Sequence, residues 1–244
     1  MRHRSLVILS IVITAAACAA KVKGLQQAPL DTGIKYVRDS EEYATLARQV
    51  YRQATEAVAR MHPATADRPW AVVLDIDETT LDNSTYQVER AALGLGYDDA
   101  SWNAWVVRRA APPVPGVMDF IAAARKAGGH IAWITNRSTV VAADTRENLQ
   151  NVGLWRDDDR LCAQVNSART KRIRRSEVMS GTGECAWPGK PVTVVAFIGD
   201  QLGDFPEADE RVPNAGTDAD FGRTCFLLPN SMYGAWTTKV TRVR

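Results

Sequence analysis

The sequence predicts an α/β fold: a parallel sheet with helices on both faces. Two observations carry the prediction. Aliphatic runs of strand length at 71–74, 130–134 and 192–198 each give way to a polar cluster. Between them lie stretches whose apolar residues recur three and four apart, at the period of a helix. Strands and helices in alternation build parallel βαβ units. At 244 residues the chain suffices for one well-buried domain with a small accessory piece.

Taken in order, Met1-Arg2-His3-Arg4 and the apolar run 6–13 have the pattern of a secretory signal, assigned to 1–17. The run is too short to span a bilayer. Residues 18–38, polar and carrying Pro29 and Gly33, are expected to form a tether. Residues 39–66 contain a helix: Tyr43, Leu46, Ala47, Val50, Tyr51, Ala54 and Val58 share one face, Ser40 caps it and His62-Pro63 stops it. Together with an insertion at 84–112 it is assigned to a helical cap. Residues 67–83 and 113–244 are assigned to the catalytic α/β core. The first strand, Ala71-Val72-Val73-Leu74, turns into Asp75-Ile76-Asp77. Side chains two apart share a face on an ideal strand, but the break to polar residues predicts that the chain turns here. The turn lies at the carboxyl end of a strand, where open α/β sheets carry ligands.

The insertion after this strand holds Tyr86, a Gly94/Gly96 break and the pair Trp102 and Trp105. Three apart on a helix, the tryptophans either glue the insertion to the first helix or shape the mouth of a site. A helix over 117–127 ends at Gly128-Gly129. The strand at 130–134 ends in Thr135-Asn136-Arg137, and Ser138 starts a helix running to about 152. A weaker strand at 161–165 leads into Arg169-Thr170-Lys171-Arg172-Ile173-Arg174-Arg175. The strand at 192–198 runs into Gly199-Asp200-Gln201-Leu202-Gly203-Asp204. A last strand at 224–228 precedes Pro229-Asn230-Ser231-Met232-Tyr233.

Composition narrows the function. The formal charge of +2 includes Arg2 and Arg4, so the mature chain is near neutral, which gives no support to a polyanion-binding role. The basic run at 169–175 is short and has no interleaved aromatics, unlike a nucleic-acid surface. The three histidines are scattered, which argues against zinc. Beyond Cys18, Cys162, Cys185 and Cys225 admit one disulfide in an oxidising compartment, or serve as small buried hydrophobes. Four strand-end features then converge: Asp75/Asp77, Thr135, Lys171 and Asp200/Asp204. Unpaired carboxylates in such a cluster repel and are costly to bury. A hard dication such as Mg²⁺, which takes carboxylates, waters and phosphate oxygens, resolves the conflict.

This constellation resembles the haloacid-dehalogenase superfamily of phosphatases, in the type with four aspartates. More narrowly it is similar to the class C acid phosphatases, bacterial outer-membrane lipoprotein nucleotidases. The resemblance is carried by Val73-Leu74-Asp75-Ile76-Asp77-Glu78-Thr79-Thr80-Leu81-Asp82-Asn83-Ser84-Thr85-Tyr86, by Phe197-Ile198-Gly199-Asp200-Gln201-Leu202-Gly203-Asp204-Phe205 and by Leu228-Pro229-Asn230-Ser231-Met232-Tyr233-Gly234. Ala15-Ala16-Ala17-Cys18 is similar to a lipoprotein processing site, which usually has Leu where Ala15 stands. Arg172 departs from the small residue that often follows the lysine.

The resemblance implies a haloacid-dehalogenase-like core and an Mg²⁺-dependent phosphomonoesterase. Asp75 would be the nucleophile, and Asp77 would protonate the leaving oxygen and then deprotonate water. Asp75, Asp200 and the backbone carbonyl of Asp77 would ligate the metal, with Asp204 orienting groups behind them. Thr135, Lys171 and the N–H of Asn136 would hold phosphoryl oxygens. Tyr233 would stack on a nucleobase; Tyr86 either flanks that pocket or packs inside the cap. The implied substrates are nucleoside 5′-monophosphates, with sugar or other small organic phosphates as the alternative, or an inactive surface-binding lipoprotein. No nucleic-acid polymer is expected as partner. Membrane contact is expected only through lipid on Cys18, in an outer-membrane, periplasmic or secreted protein. A homodimer stays open.

Overall fold

The computed structural model describes residues 30–61, 69–210 and 217–239. Within them β1 (Trp70–Leu74), β2 (His130–Ser138), β3 (Arg160–Gln164), β4 (Thr193–Gly199) and β5 (Cys225–Leu227) form one sheet in the order β3-β2-β1-β4-β5. Every pairing is parallel. β1 is central and buried along its whole length, because side chains alternate between two covered faces. Val72 and Leu74 pack with Ile131, Trp133 and Ile198 on one face, while Ala71 and Val73 pack with Ala132, Ile134 and Phe197 on the other. Close packing also decides the residue before β2. A Cβ on Gly129 would lie 2.4 Å from the Trp70 ring, so only glycine fits.

Helices α1 (Thr32–Asp39), α2 (Glu41–Met61), α3 (Ser84–Ala92), α4 (Asp99–Val107), α5 (Val117–Lys126), α6 (Ala142–Asn151) and α7 (Lys171–Ser180) complete the described elements of more than one α-helical turn. Among the described residues, no helix is long and apolar enough to cross a membrane. The chain passes from β1 outward to β2 and β3, then returns to the other side of β1 for β4. The carboxyl ends of β1 and β4 therefore flank the point where strand order reverses, a preferred ligand position. The Asp75 N–H donates to the Ile198 carbonyl at 3.0 Å, tying the two ends together.

Two sequence expectations are corrected. The 18–38 segment is not a tether throughout, since Thr32–Asp39 is helical. Asp31 caps α1 by accepting from the Gly33 N–H at 2.8 Å, and Ile34 and Val37, three apart, are buried. Pro29 and Gly33 had pointed to a linker, but a cap and one short apolar stripe outweigh them once α1 packs on α3. Second, α2 belongs to the core layer. Ser40 accepts from the Tyr43 N–H at 3.0 Å as expected, yet the apolar face of α2 covers α5, β4 and β5. Tyr51, Ala54, Ala57 and Val58 join the same buried cluster as Leu74 and Phe120. Close approach explains Gly116, at φ 96°: a Cβ there would stand 3.0 Å from the Arg48 Cα of α2.

The cap is thus the insertion holding α3 and α4. Its ends are zipped together: Asp82 N–H donates to Pro112 O at 2.8 Å and Val114 N–H to Thr80 O at 3.0 Å. Cys162, Cys185 and Cys225 are buried in the second apolar cluster, as small hydrophobes are. The signal segment, Cys18 and His62-Pro63 lie outside the described residues.

Candidate active site

β1 ends at Leu74, and the turn that follows folds Asp75 and Asp77 toward one cleft. Thr80 and Leu81 N–H groups both donate to the Ile76 carbonyl at 2.8 Å, and Glu78 N–H donates to Leu81 O at 2.9 Å. Glu78 takes a left-handed conformation at φ 58° to close this turn. Its Oε1 accepts from the Asn83 N–H at 2.9 Å, so Glu78 shapes the loop rather than facing the cleft. Asp200 follows β4 directly. Its Oδ2 accepts from Gln201 and Asn230, each at 2.8 Å, and its Oδ1 from Thr79 at 3.4 Å. Asp204 closes a short turn by accepting the N–H groups of Asp200 at 3.1 Å and Gln201 at 2.9 Å on Oδ2. Gly199 leaves room for this, since a Cβ there would meet the Asp204 side chain at 2.3 Å.

Lys171 opens α7, which Thr170 caps. Its ammonium bonds both Asp75 Oδ1 and Asp204 Oδ1. Arg169 is engaged elsewhere, in a paired contact with Glu177 at 2.6 and 2.8 Å. Thr135 is fully buried in the second half of β2, where its Oγ accepts from the Arg137 N–H at 3.0 Å. That bond leaves the Thr135 O–H free to donate. Asn136 is exposed to the cleft, with its Oδ1 fixed by Arg174 at 2.8 Å.

The cleft over these groups measures about 720 Å³. Asp75, Asp77, Lys171, Asp200 and Asp204 form its floor, and Tyr97, Trp102 and Tyr233 supply aromatic walls. Asn230 accepts from the Met232 and Tyr233 N–H groups at 2.9 and 3.3 Å, so one side chain links the Asp200 carboxylate to the loop of Tyr233. Tyr86 does not line the cleft, which corrects its assignment as a flank of the pocket. It is buried inside the cap, edge-on to Trp102 at 5.0 Å, with its hydroxyl 3.0 Å from Ser101 Oγ. Of the two tryptophans, Trp102 walls the cleft, while Trp105 is buried with its indole N–H on Asn83 Oδ1 at 2.8 Å, in a helix that packs on α6.

The electrostatics of this floor suit a cation. Among the described residues, Asp75, Asp200 and Asp204 can each offer an oxygen within 4.8 Å of the others. Burial, with Asp204 adding to it, pushes Asp200 up to about 6. Burial also raises Asp75 well above the usual carboxylate range; Lys171 opposes this, while Asp204 and Asp200 reinforce it. Burial works against the Lys171 ammonium, but Asp75 and Asp204 outweigh it and raise its pKa. Crowded anionic oxygens with too little positive charge fit a hard divalent ion.

Sequence reasoning passed over three groups. Arg137, two per cent exposed, grips Asp77 Oδ1 through Nε at 2.9 Å. Buried Arg174 donates to the Thr135 and Cys162 carbonyls. Buried Arg175 donates to the Gly203 and Asp204 carbonyls and pairs with Glu210. A signal existed: Lys171, Arg174, Arg175 and Val178 recur at helical spacing, so this basic face points inward.

Comparison with known proteins agrees with this geometry. The family model described as HAD superfamily, subfamily IIIB (acid phosphatase) matches residues 7–236. The class C acid phosphatase from Bacillus anthracis has 28% identity to the chain and a TM-score of 0.71, with 84% of each chain covered. The tungstate-bound structure of that enzyme matches equally well. With a matched family model spanning nearly all its length and the acidic cleft that such chemistry requires, the chain belongs to the acid phosphatases of subfamily IIIB in the HAD superfamily, and is a phosphomonoesterase of the class C acid phosphatase type.

Proposed function

We propose that the chain hydrolyses nucleoside 5′-monophosphates through an aspartyl-phosphate on Asp75, with Mg²⁺ as its metal. The observation that carries this reading is the trio Asp75, Asp200 and Asp204, with oxygens within 4.8 Å of one another beneath an aromatic-walled cleft. Asp75 attacks phosphorus, forming one P–O bond as the bond to the leaving oxygen breaks. Asp77 gives that oxygen a proton. It then takes a proton from water as the water attacks the acyl phosphate, which returns Asp75 and frees phosphate. Lys171 and the Thr135 O–H offset charge on the phosphoryl oxygens, and Asp204 holds Lys171 in place. A dication held by Asp75, Asp200 and the Asp77 carbonyl would supply further positive charge to the same oxygens.

The nucleotide preference rests on Tyr233, Trp102 and Tyr97, whose faces can stack any base. Tungstate binding by the Bacillus anthracis enzyme supports a site for tetrahedral oxyanions here as well. Turnover of AMP against a sugar phosphate tests the preference. Tyr233→Ala should raise KM for AMP about tenfold and change KM for a sugar phosphate by less than about twofold, since one base–aromatic stack is worth roughly 1–3 kcal/mol. No preference for AMP in the wild type removes the nucleotide claim.

Lipidation of Cys18, and with it an outer-membrane location, belongs to the same proposal and rests on the sequence pattern alone. Mass spectrometry of the mature protein should find acyl chains on an amino-terminal Cys18. An unmodified Cys18 in the secreted product overturns it.

A further inference from the structure

The Asp77 carboxylate is asymmetric. Its Oδ1 receives Arg137 Nε at 2.9 Å, a terminal Arg137 nitrogen at 2.8 Å and Asn83 Nδ2 at 3.0 Å. Among the described residues its Oδ2 takes no hydrogen bond. The groups on Oδ1 are themselves held. Asn83 is fully buried, and its amide uses every site: Oδ1 accepts from Trp105 at 2.8 Å and Arg137 at 3.2 Å, and Nδ2 also reaches the Leu81 carbonyl at 3.2 Å. With two donors on one side and two acceptors on the other, the amide has a single orientation. Arg137 spends another nitrogen on Thr145 of α6 at 3.3 Å and lies 5.6 Å from the Trp102 ring centroid. Arg137 is thereby committed to Asp77 and Asn83.

We propose that Trp105, Asn83 and Arg137 form a positioning relay that clamps Oδ1 of Asp77 and so aims Oδ2 at the leaving oxygen, linking the aim of the acid to the seating of the cap. The inference rests on the reading of Asp77 as the general acid. In the step concerned, the P–O bond breaks with its electron pair on the leaving oxygen, and the proton passes to that oxygen from Asp77 Oδ2. Misplacing the donor by a fraction of an ångström removes part of an effect worth about 10²–10⁴-fold. None of the three relay residues need touch the substrate to act this way.

Leaving-group dependence separates this role from a structural one. Phenyl phosphate and para-nitrophenyl phosphate are close in size, but the nitro group stabilises the departing anion and lessens the need for a proton. Values of kcat/KM cover the steps up to departure of that group, before the hydrolysis that also uses Asp77. Trp105→Phe removes the indole N–H and keeps an aromatic ring in the cap; Arg137→Lys keeps the charge and loses the two-pronged grip. The expected losses on phenyl phosphate are about tenfold for Trp105→Phe and about a hundredfold for Arg137→Lys, with losses on the nitrophenyl ester at least about fivefold smaller. Asp77→Asn, measured alongside, should display the same selectivity in larger form. Equal losses on both esters in the relay variants, with selectivity retained in Asp77→Asn, overturn the relay. An unselective Asp77→Asn overturns the general-acid reading itself, and the relay with it.

Discussion

Asp75→Asn is expected to lower kcat by about 10⁴-fold or more on every phosphomonoester tested. An amide is isosteric with the carboxylate but cannot supply the anionic oxygen that attacks phosphorus. Neighbouring groups give no substitute. Asp200 is held by Gln201, Asn230 and Thr79, and Asp204 by two backbone N–H groups and Lys171. Neither can swing into the place of Asp75 without breaking the hydrogen bonds that hold it. Steady-state assays check the loss, and quenched samples of wild type with substrate should carry a phosphoryl group that the variant lacks. Retention of activity within about tenfold of wild type would remove Asp75 from the nucleophile's role.

The same substitution should leave the metal-free fold no less stable. Asp75 is buried beside Asp200 and Asp204, with Lys171 as the cation that directly bonds it. The amide ends one repulsion and leaves Lys171 paired with Asp204. Active sites commonly carry such a cost to stability in exchange for chemistry.

The strands and the acidic floor were legible in the sequence because both are written locally. Val72, Val73 and Leu74 form a run that suits a strand buried on both faces, and the polarity break at Asp75 marks its end. The same break after Ile198 marks Asp200. What was not legible depends on packing between distant segments. The stripe of α2 is equally apolar whether it covers a sheet or closes over a cleft, and only the arrangement of α5, β4 and β5 decides. Tyr86 follows the first acidic motif closely, yet α3 turns its ring under Trp102 and away from the cleft. Arg137 stands in the polar run that follows the apolar stretch 130–134. Its partners Asp77 and Asn83 stand on the turn after β1 and Thr145 on α6, so nothing in the local sequence announces that it is buried.

Removing divalent ions with a chelator is expected to lower activity by at least about 10³-fold, and re-adding Mg²⁺ should restore it. The stability of the chelated protein should then carry a pH signature of the acidic floor. Burial pushes Asp200 up to about 6 in the fold from its ordinary value of 3.8, so the folded state binds its proton more tightly than the unfolded chain does. Between those values the native state holds more protons, and the slope of unfolding free energy with pH is negative. Stability is therefore lost as pH rises from about 4 to about 6, and above that window the accumulated penalty levels off at about 3 kcal/mol for this one group. The raised Asp75 acts in the same direction. A bound dication competes with those protons, so its stabilising effect should grow across the same window and then flatten. Thermal unfolding from pH 4.5 to 7.5, with chelator and with Mg²⁺, reads both curves, and the gap between their midpoints should widen toward neutral pH. A gap that stays constant with pH would mean that the ion does not bind where these carboxylates are crowded.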